Sequence, residues 1–212
     1  MITLYGYPQS RSFRVLWMLE ELGVDYHYEV VDLLAGEGGQ AMYQQINAGG
    51  KVPAIKEGDF VLTESAAICT WLGDKFPEKN LLPVAGSDER ARYNEWCYFI
   101  LSELEQPLWT LGKHSFVLPE TLRVPAIKET ALWEFAKAVD VLEKRLSDQI
   151  YAINDRFSAA DILIAHTLRW ADAFGVPVKC GNLIDYRDRM LARAACKAAS
   201  MRDRRAKESM ES

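Results

Sequence analysis

The sequence predicts an α/β domain followed by an all-helical domain. Three observations predict it. The chain opens on a strand–helix–strand pattern, a hairpin pattern follows, and beyond a proline-flanked stretch, Pro77-Glu78-Lys79-Asn80-Leu81-Leu82-Pro83, the strand signal disappears.

Residues 2–5 alternate and are rich in strand formers. Residues 12–22 carry Val15, Leu16, Leu19 and Leu22 at helical spacing, and Gly23 stops the helix. Residues 26–31 read as a second strand, so the opening favours a parallel pair joined by a right-handed crossover. Gly36, Gly38 and Gly39 mark a loop before a short irregular helix around 40–46, and Asn47-Ala48-Gly49-Gly50 marks another. Two apolar runs, 52–55 and 60–62, flank Lys56-Glu57-Gly58-Asp59, which is a hairpin with a glycine-containing turn. A helix over 65–76 completes this domain, 1–77. Residues 78–87 read as a linker. The helical domain, 88–200, begins with a long helix from Ser87 or Asp88 to about 110 that carries Tyr93, Trp96, Tyr98 and Phe99. A break over 114–125 precedes a second long helix, 127–146. Ser158 caps a third over 159–174, with Asp161 three residues on as a capping box. A fourth runs over 183–199. The charged tail, 201–212, has little to bury and is expected to fray.

Composition excludes several classes. The 212 residues suffice for two small domains with real cores, and 49% apolar with 26% charged residues is ordinary for a soluble globular protein. A formal charge of -5 gives no global attraction to nucleic acid. No apolar run approaches the ~20 residues of a membrane span. The chain enters a strand pattern without a basic region and apolar signal core, so cytoplasmic is the expected location. Cys69, Cys97, Cys180 and Cys196 make no CxxC and, with His27, His114 and His166, no metal-ligand spacing. Reduced, mostly buried thiols are expected, and no metal.

The chemistry gathers around Lys51-Val52-Pro53-Ala54-Ile55 and Glu64-Ser65. Pro53 cannot donate to a strand ladder and so marks an edge or a bend. If Val52–Pro53 is cis, the Val52 N–H and C=O face outward and suit an extended, peptide-like ligand. Helix-start N–H groups and the Ser65 hydroxyl suit a ligand carboxylate, and Glu64 suits an ammonium. One end reads peptide backbone; the other reads a zwitterionic amino-acid head.

These motifs, together with Glu64-Ser65-Ala66-Ala67-Ile68, resemble the glutathione site of the cytosolic glutathione transferases. The opening, Ile2-Thr3-Leu4-Tyr5-Gly6-Tyr7-Pro8-Gln9-Ser10-Arg11-Ser12, is similar to their first strand and catalytic loop. Phe157-Ser158-Ala159-Ala160-Asp161-Ile162 is similar to their helical capping box. The resemblance covers roughly residues 1–195. It implies a thioredoxin-like fold for the first domain, glutathione as co-substrate, a small hydrophobic electrophile as second substrate, and a homodimer without nucleic acid or membrane.

A thiol attacks as the thiolate. With a pKa near ~8.5, only a few per cent is ionised at neutral pH, and lowering it by about two units takes roughly 2.7 kcal/mol of differential interaction. One hydroxyl donor at a helix start can supply that. Ser10 is the favoured donor, four residues before Arg14 as in serine-type members. Ser12 is the helix cap or a second donor, and Tyr5 stands where tyrosine-type members carry a phenol. Arg11 occupies the place of the beta-class cysteine, which argues against mixed-disulfide chemistry. By resemblance Val52 pairs with the cysteinyl unit, Pro53 holds that geometry, Glu64 and Ser65 hold the γ-glutamyl head, and Lys51 meets the glycyl carboxylate. Ser102 and Glu103 are implied to reach the neighbouring subunit's glutathione. Tyr7, Trp109, His114, Phe116 and Trp170 are candidates for the electrophile site between the domains. Ser158 and Asp161 read as structural. Before them, Asn154 replaces a usual turn glycine and tolerates the same left-handed conformation. The competing readings are a non-catalytic glutathione-binding or regulatory module and a glutathione-dependent peroxidase or disulfide reductase.

Overall fold

A computed structural model describes residues 1–211. They form two compact units: residues 1–82 joined by the chain from Leu191 onward, and residues 83–190.

The first unit holds a four-stranded sheet of β1 (Ile2–Gly6), β2 (Tyr26–Val30), β3 (Ala54–Glu57) and β4 (Phe60–Thr63), in the order β2-β1-β3-β4. β1 and β2 pair in parallel, with Ile2 opposite Tyr26 and Gly6 opposite Val30. β3 is antiparallel to both β1 and β4, with Leu4 opposite Ile55 and Ile55 opposite Leu62. This is the thioredoxin-like arrangement. The hairpin turn is tighter than its sequence suggests, because pairing runs out to Glu57 and Phe60 and leaves only Gly58 and Asp59 between the strands. Gly58 adopts φ 59, a left-handed conformation that a side chain would disfavour.

Helix α1 (Ser12–Leu22) ends where Gly23 takes φ 65 and its N–H bonds the Leu19 carbonyl. Its sequence shows one apolar stripe, but Phe13, Trp17 and Met18 are buried as well as Val15, Leu16, Leu19 and Leu22. A helix buried all round needs cover on every side. The cover comes from β1, from α3 (Ser65–Lys75) and from the last helix of the chain. Between β2 and β3 lie a 3-10 turn at Glu37–Gly39 and a short helix, α2 (Ala41–Gln44).

The second unit begins at α4 (Asp88–Phe99), which Ser87 caps by accepting the Arg90 N–H at 3.1 Å. The helix does not stop near 110. It continues through a π-helical turn at Ile100–Leu104, α5 (Gln106–Gly112), and a second π-helical turn at Lys113–Val117. The first turn has a covalent cause: Pro107 has no N–H, so the ladder shifts and Glu105 donates to Ile100 O instead. The expected break over 114–125 is therefore shorter. Helix α6 (Ile127–Leu146) follows, then α7 (Ala159–Ala173), the buried centre of this unit, with Ile162, Leu163, Ile164 and Ala165 fully enclosed. Ahead of α7, Asn154 takes φ 54, the left-handed conformation expected of it.

Two expectations for the C-terminus are corrected. The helix foreseen over 183–199 is two helices, α8 (Gly181–Leu191) and α9 (Ala194–Glu211), with a break at 192–193 that no glycine or proline announces. The tail is also not frayed within the described residues: α9 runs through it to Glu211. The reason is charge as well as packing. Arg193 grips Glu21 through two contacts of 2.6 and 2.8 Å, and Arg202 meets Glu20 at 2.7 Å while lying over the Tyr26 ring. Small or short side chains, Cys196, Ala199 and Asp203, form its buried face within the first unit. The charged segment thus answers an acidic end of α1.

Candidate active site

The register of the sheet decides what meets what in the first unit. Tyr5 pairs with Ala54, and Ala54 with Thr63. The loop after β1, the segment before β3 and the residues after β4 therefore emerge at one end of the sheet. Those three segments are 7–11, Lys51-Val52-Pro53 and Glu64-Ser65. The fold brings together the residues that sequence reasoning assigned to one ligand.

In the first segment, Ser10 and Ser12 are coupled. Ser10 Oγ donates to Tyr7 O at 2.6 Å and accepts the Ser12 N–H at 3.1 Å. The two hydroxyl oxygens lie 2.9 Å apart, and Ser12 Oγ accepts the Tyr7 N–H at 3.2 Å. Ser12 is fully buried and makes no cap: the capping position of α1 is Arg11, without a side-chain cap bond. That corrects the helix-cap role expected of Ser12. Ser10 is half-buried and stands at the mouth of the helix. Tyr5 lies on β1 with its ring 6.1 Å from that of Tyr43, as a strand residue. Burial raises the Tyr7 phenol above its usual pKa, and Asp32 and Glu211 add to the effect. A phenol so disfavoured as an anion remains a neutral hydroxyl.

The second segment carries the Val52–Pro53 bond in cis. Among the described residues, no hydrogen bond uses the Val52 N–H or C=O. The preceding turn is fixed instead through Lys51 O, which accepts from Tyr43 Oη and Asn47 Nδ2, both at 2.7 Å. The Lys51 side chain is exposed.

At the third segment Glu64 is exposed and adopts φ 69, outside glycine's company in that region. Such a conformation costs about 1–3 kcal/mol and persists where surroundings impose it, often at ligand sites. The start of α3 has no side-chain cap, so the first N–H groups of the helix are available to an anion. Ser65 is buried, and its Oγ accepts from Arg14 Nη1 at 3.2 Å. Arg14, itself wholly buried, thus ties α1 to the start of α3. Sequence reasoning used Arg14 only as a spacing mark. A lone arginine amid the apolar run 13–19 was the available signal.

In the second unit, Phe116 and Trp170 converge on Phe174. Phe116 stands edge-on at 6.0 Å, and Trp170 edge-on at 5.6 Å. Gly112 borders them, with an added Cβ only 3.5 Å from both rings of the Phe116–Phe174 pair. His114 Nδ1 accepts the Val124 N–H at 3.0 Å, which closes the loop after the second π turn. Trp109 is half-buried on α5. Tyr7 belongs to the other unit. Phe174 was the member of this cluster that sequence reasoning missed. Ser102 and Glu103 are exposed on the first π turn, and Ser102 Oγ donates to Tyr98 O at 2.8 Å.

Ser158 and Asp161 form the capping box. Asp161 also accepts the Ala152 N–H at 2.8 Å and the Tyr186 hydroxyl at 2.5 Å, beyond the Ser158 N–H and Oγ at 2.8 and 2.9 Å. Burial pushes its carboxyl up, and these four donors pull against that shift. Cys69, Cys97 and Cys196 are buried thiols, while Cys180 is half-exposed. Among the described residues no group of three or more His, Cys, Asp or Glu is placed to hold a metal, and no helix is long and apolar enough to cross a membrane.

Comparison with known proteins places this arrangement. Residues 10–75 match the N-terminal domain of glutathione S-transferases, and residues 109–194 match their C-terminal domain. A zeta-class glutathione S-transferase of Euphorbia esula is 32% identical over 169 residues, 77% of this chain and 72% of its own. This chain belongs to the glutathione S-transferase family. A solved glutathione transferase of Methylococcus capsulatus superposes with a TM-score of 0.86 at 32% identity, covering 96% of this transferase and 98% of its own chain. Another, from Phanerochaete chrysosporium and solved with oxidised glutathione, gives 0.86 at 26% identity, with 97% of each chain covered.

Proposed function

We propose that this transferase is a serine-type member that binds glutathione along the Lys51–Ser65 side of the sheet end, holds its thiol ionised through Ser10, and joins it to a small hydrophobic electrophile. One observation carries the reading: a hydroxyl at a helix mouth, a Val52 backbone unpaired among the described residues and an uncapped α3 start all open at the same end of one sheet. The residues fit the tripeptide. Val52 offers a donor and an acceptor to the cysteinyl unit. Ser65 and the first N–H groups of α3 suit the γ-glutamyl carboxylate, and Glu64 suits its ammonium. Lys51 suits the glycyl carboxylate.

The chemistry is modest. Ser10 turns its hydrogen from Tyr7 O toward the sulfur, which exchanges one acceptor for another of greater negative charge. The Ser12 N–H, already directed at Ser10 Oγ, polarises that hydroxyl. The thiolate then attacks a small hydrophobic electrophile; within the second unit, Phe116, Trp170 and Phe174 form an apolar cluster. In a homodimer, Ser102 and Glu103 would be free to meet the glutathione of the partner.

The test is glutathione-dependent turnover on a panel of small electrophiles: an activated aryl halide, an epoxide, an α,β-unsaturated carbonyl and an organic hydroperoxide. Thioether formation with at least one supports the reading. Tight glutathione binding without acceleration of any supports the non-catalytic module. Turnover confined to the hydroperoxide moves the assignment to a peroxidase.

A further inference from the structure

The loop that carries Ser10 is tied from outside as well as through its own Tyr7, Ser10 and Ser12 hydrogen bonds. Its residue Gln9 sits at φ 60, a left-handed conformation that non-glycine residues avoid. Beside it, Gly6 is walled in: an added Cβ would lie 2.7 Å from Tyr28 Cε2 and 2.8 Å from Ser12 Cβ. A strained residue next to the donor hydroxyl needs something outside the loop to hold it.

That something comes from the far end of the chain. Asp203, in the middle of α9 and only 5% exposed, accepts the Gln9 N–H through Oδ2 at 3.0 Å. One turn on, Lys207 Nζ reaches Gln9 Oε1 at 3.3 Å. The same carboxylate also acts on Tyr28, whose buried Oη makes no hydrogen bond of standard geometry among the described residues. Burial raises the Tyr28 phenol far above its ordinary pKa, and the Asp203 charge raises it further. The helix is itself fixed in register by Arg193 on Glu21 and Arg202 on Glu20. A charged acceptor held in a protected setting makes a stronger bond to an amide than a neutral one does.

We propose that Asp203 is a positioning residue for thiol activation: by holding the Gln9 N–H it keeps the loop in the conformation that presents the Ser10 hydroxyl. Asp203 touches no substrate. It acts through the backbone, since the Gln9 φ and ψ set where the next residue points. The C-terminal helix thereby becomes part of the catalytic apparatus of the first unit. This inference rests on the reading of Ser10 as the thiol donor.

The experiment compares wild type, Asp203→Ala, Asp203→Asn and Ser10→Ala. Two quantities are read: the ultraviolet thiolate absorbance of bound glutathione against pH, and hydrogen exchange of the peptide covering residues 6–12. The alanine variant should raise the bound thiol pKa by about one unit or more. It should lower kcat while leaving glutathione affinity within about threefold. It should speed exchange in the loop by about tenfold. The asparagine variant keeps an acceptor oxygen for the Gln9 N–H and should restore most of each. If Asp203→Ala does not fold, Asp203→Ser, too short to reach Gln9, takes its place. Wild-type thiol pKa and wild-type exchange in a folded Asp203→Ala overturn the proposal. A thiol pKa unmoved by Ser10→Ala removes the donor role of Ser10, and faster loop exchange in Asp203→Ala then still supports the hold of Asp203 on the loop.

Discussion

Replacing Asp161 with alanine should be the most destabilising single change in the second unit. The carboxylate is fully enclosed and accepts from Ala152 N–H, Ser158 N–H, Ser158 Oγ and Tyr186 Oη. The Ser158 hydroxyl can rotate to another acceptor. The two backbone N–H groups and the Tyr186 hydroxyl cannot, because the backbone and a buried ring hold them. Each buried donor left without a partner costs about 1–3 kcal/mol, so the lower end for three gives roughly 3 kcal/mol. In a chain of this size each kcal/mol moves Tm by about 2–4 °C, so the midpoint should fall by about 6–12 °C. Scanning calorimetry at neutral pH measures it directly. Ser158→Ala removes one cap and should cost only about 1 kcal/mol. An Asp161→Ala midpoint within about 3 °C of wild type would refute the reasoning, since it would mean that these donors find other partners at little cost.

Three further outcomes are expected. Gly6→Ala forces a methyl against Tyr28 and Ser12 at under 3 Å and should cost about 1–3 kcal/mol, read as a lower Tm; an unchanged midpoint would mean the loop yields freely. Glu64→Ala should weaken glutathione binding about tenfold by calorimetry, as loss of a charge-assisted contact predicts, and unchanged affinity would remove Glu64 from the γ-glutamyl head. Gel filtration with light scattering should give a dimer, whereas a monomer at micromolar concentration would withdraw Ser102 and Glu103 from any glutathione contact.

How much of this could be read from the chain depends on the range of the interaction. The β1–α1–β2 opening, the hairpin and the capping box are local: period, turn residues and a three-residue spacing encode them, and sequence reasoning placed each. The grouping of Ser10, Val52 and Glu64 was implied by the family resemblance, and the observed strand order is what brings them to one sheet end. The π turn before Gln106 was less visible, although Pro107 was its mark. The C-terminal helix was missed for a physical reason. Its burial comes from three short side chains and from arginines whose partners, Glu20 and Glu21, lie far away in sequence. A composition rule sees only a charged tail. The missing cover was nonetheless written on the other side of the contact: Phe13, Trp17 and Met18 lie off the apolar stripe of α1, and apolar side chains beyond a single stripe demand a further neighbour. The Asp203–Gln9 bond had no local signal at all, because it joins residues at opposite ends of the chain.

The central claim is that this transferase ionises glutathione through Ser10. The most direct measurement is the ultraviolet thiolate absorbance of bound glutathione across pH, for wild type and for Ser10→Ala. The account predicts a thiol pKa about two units below the free value in wild type that returns most of the way in the mutant, with glutathione affinity largely kept. A wild-type pKa equal to that of the free thiol, or a lowered one that Ser10→Ala leaves in place, would contradict it.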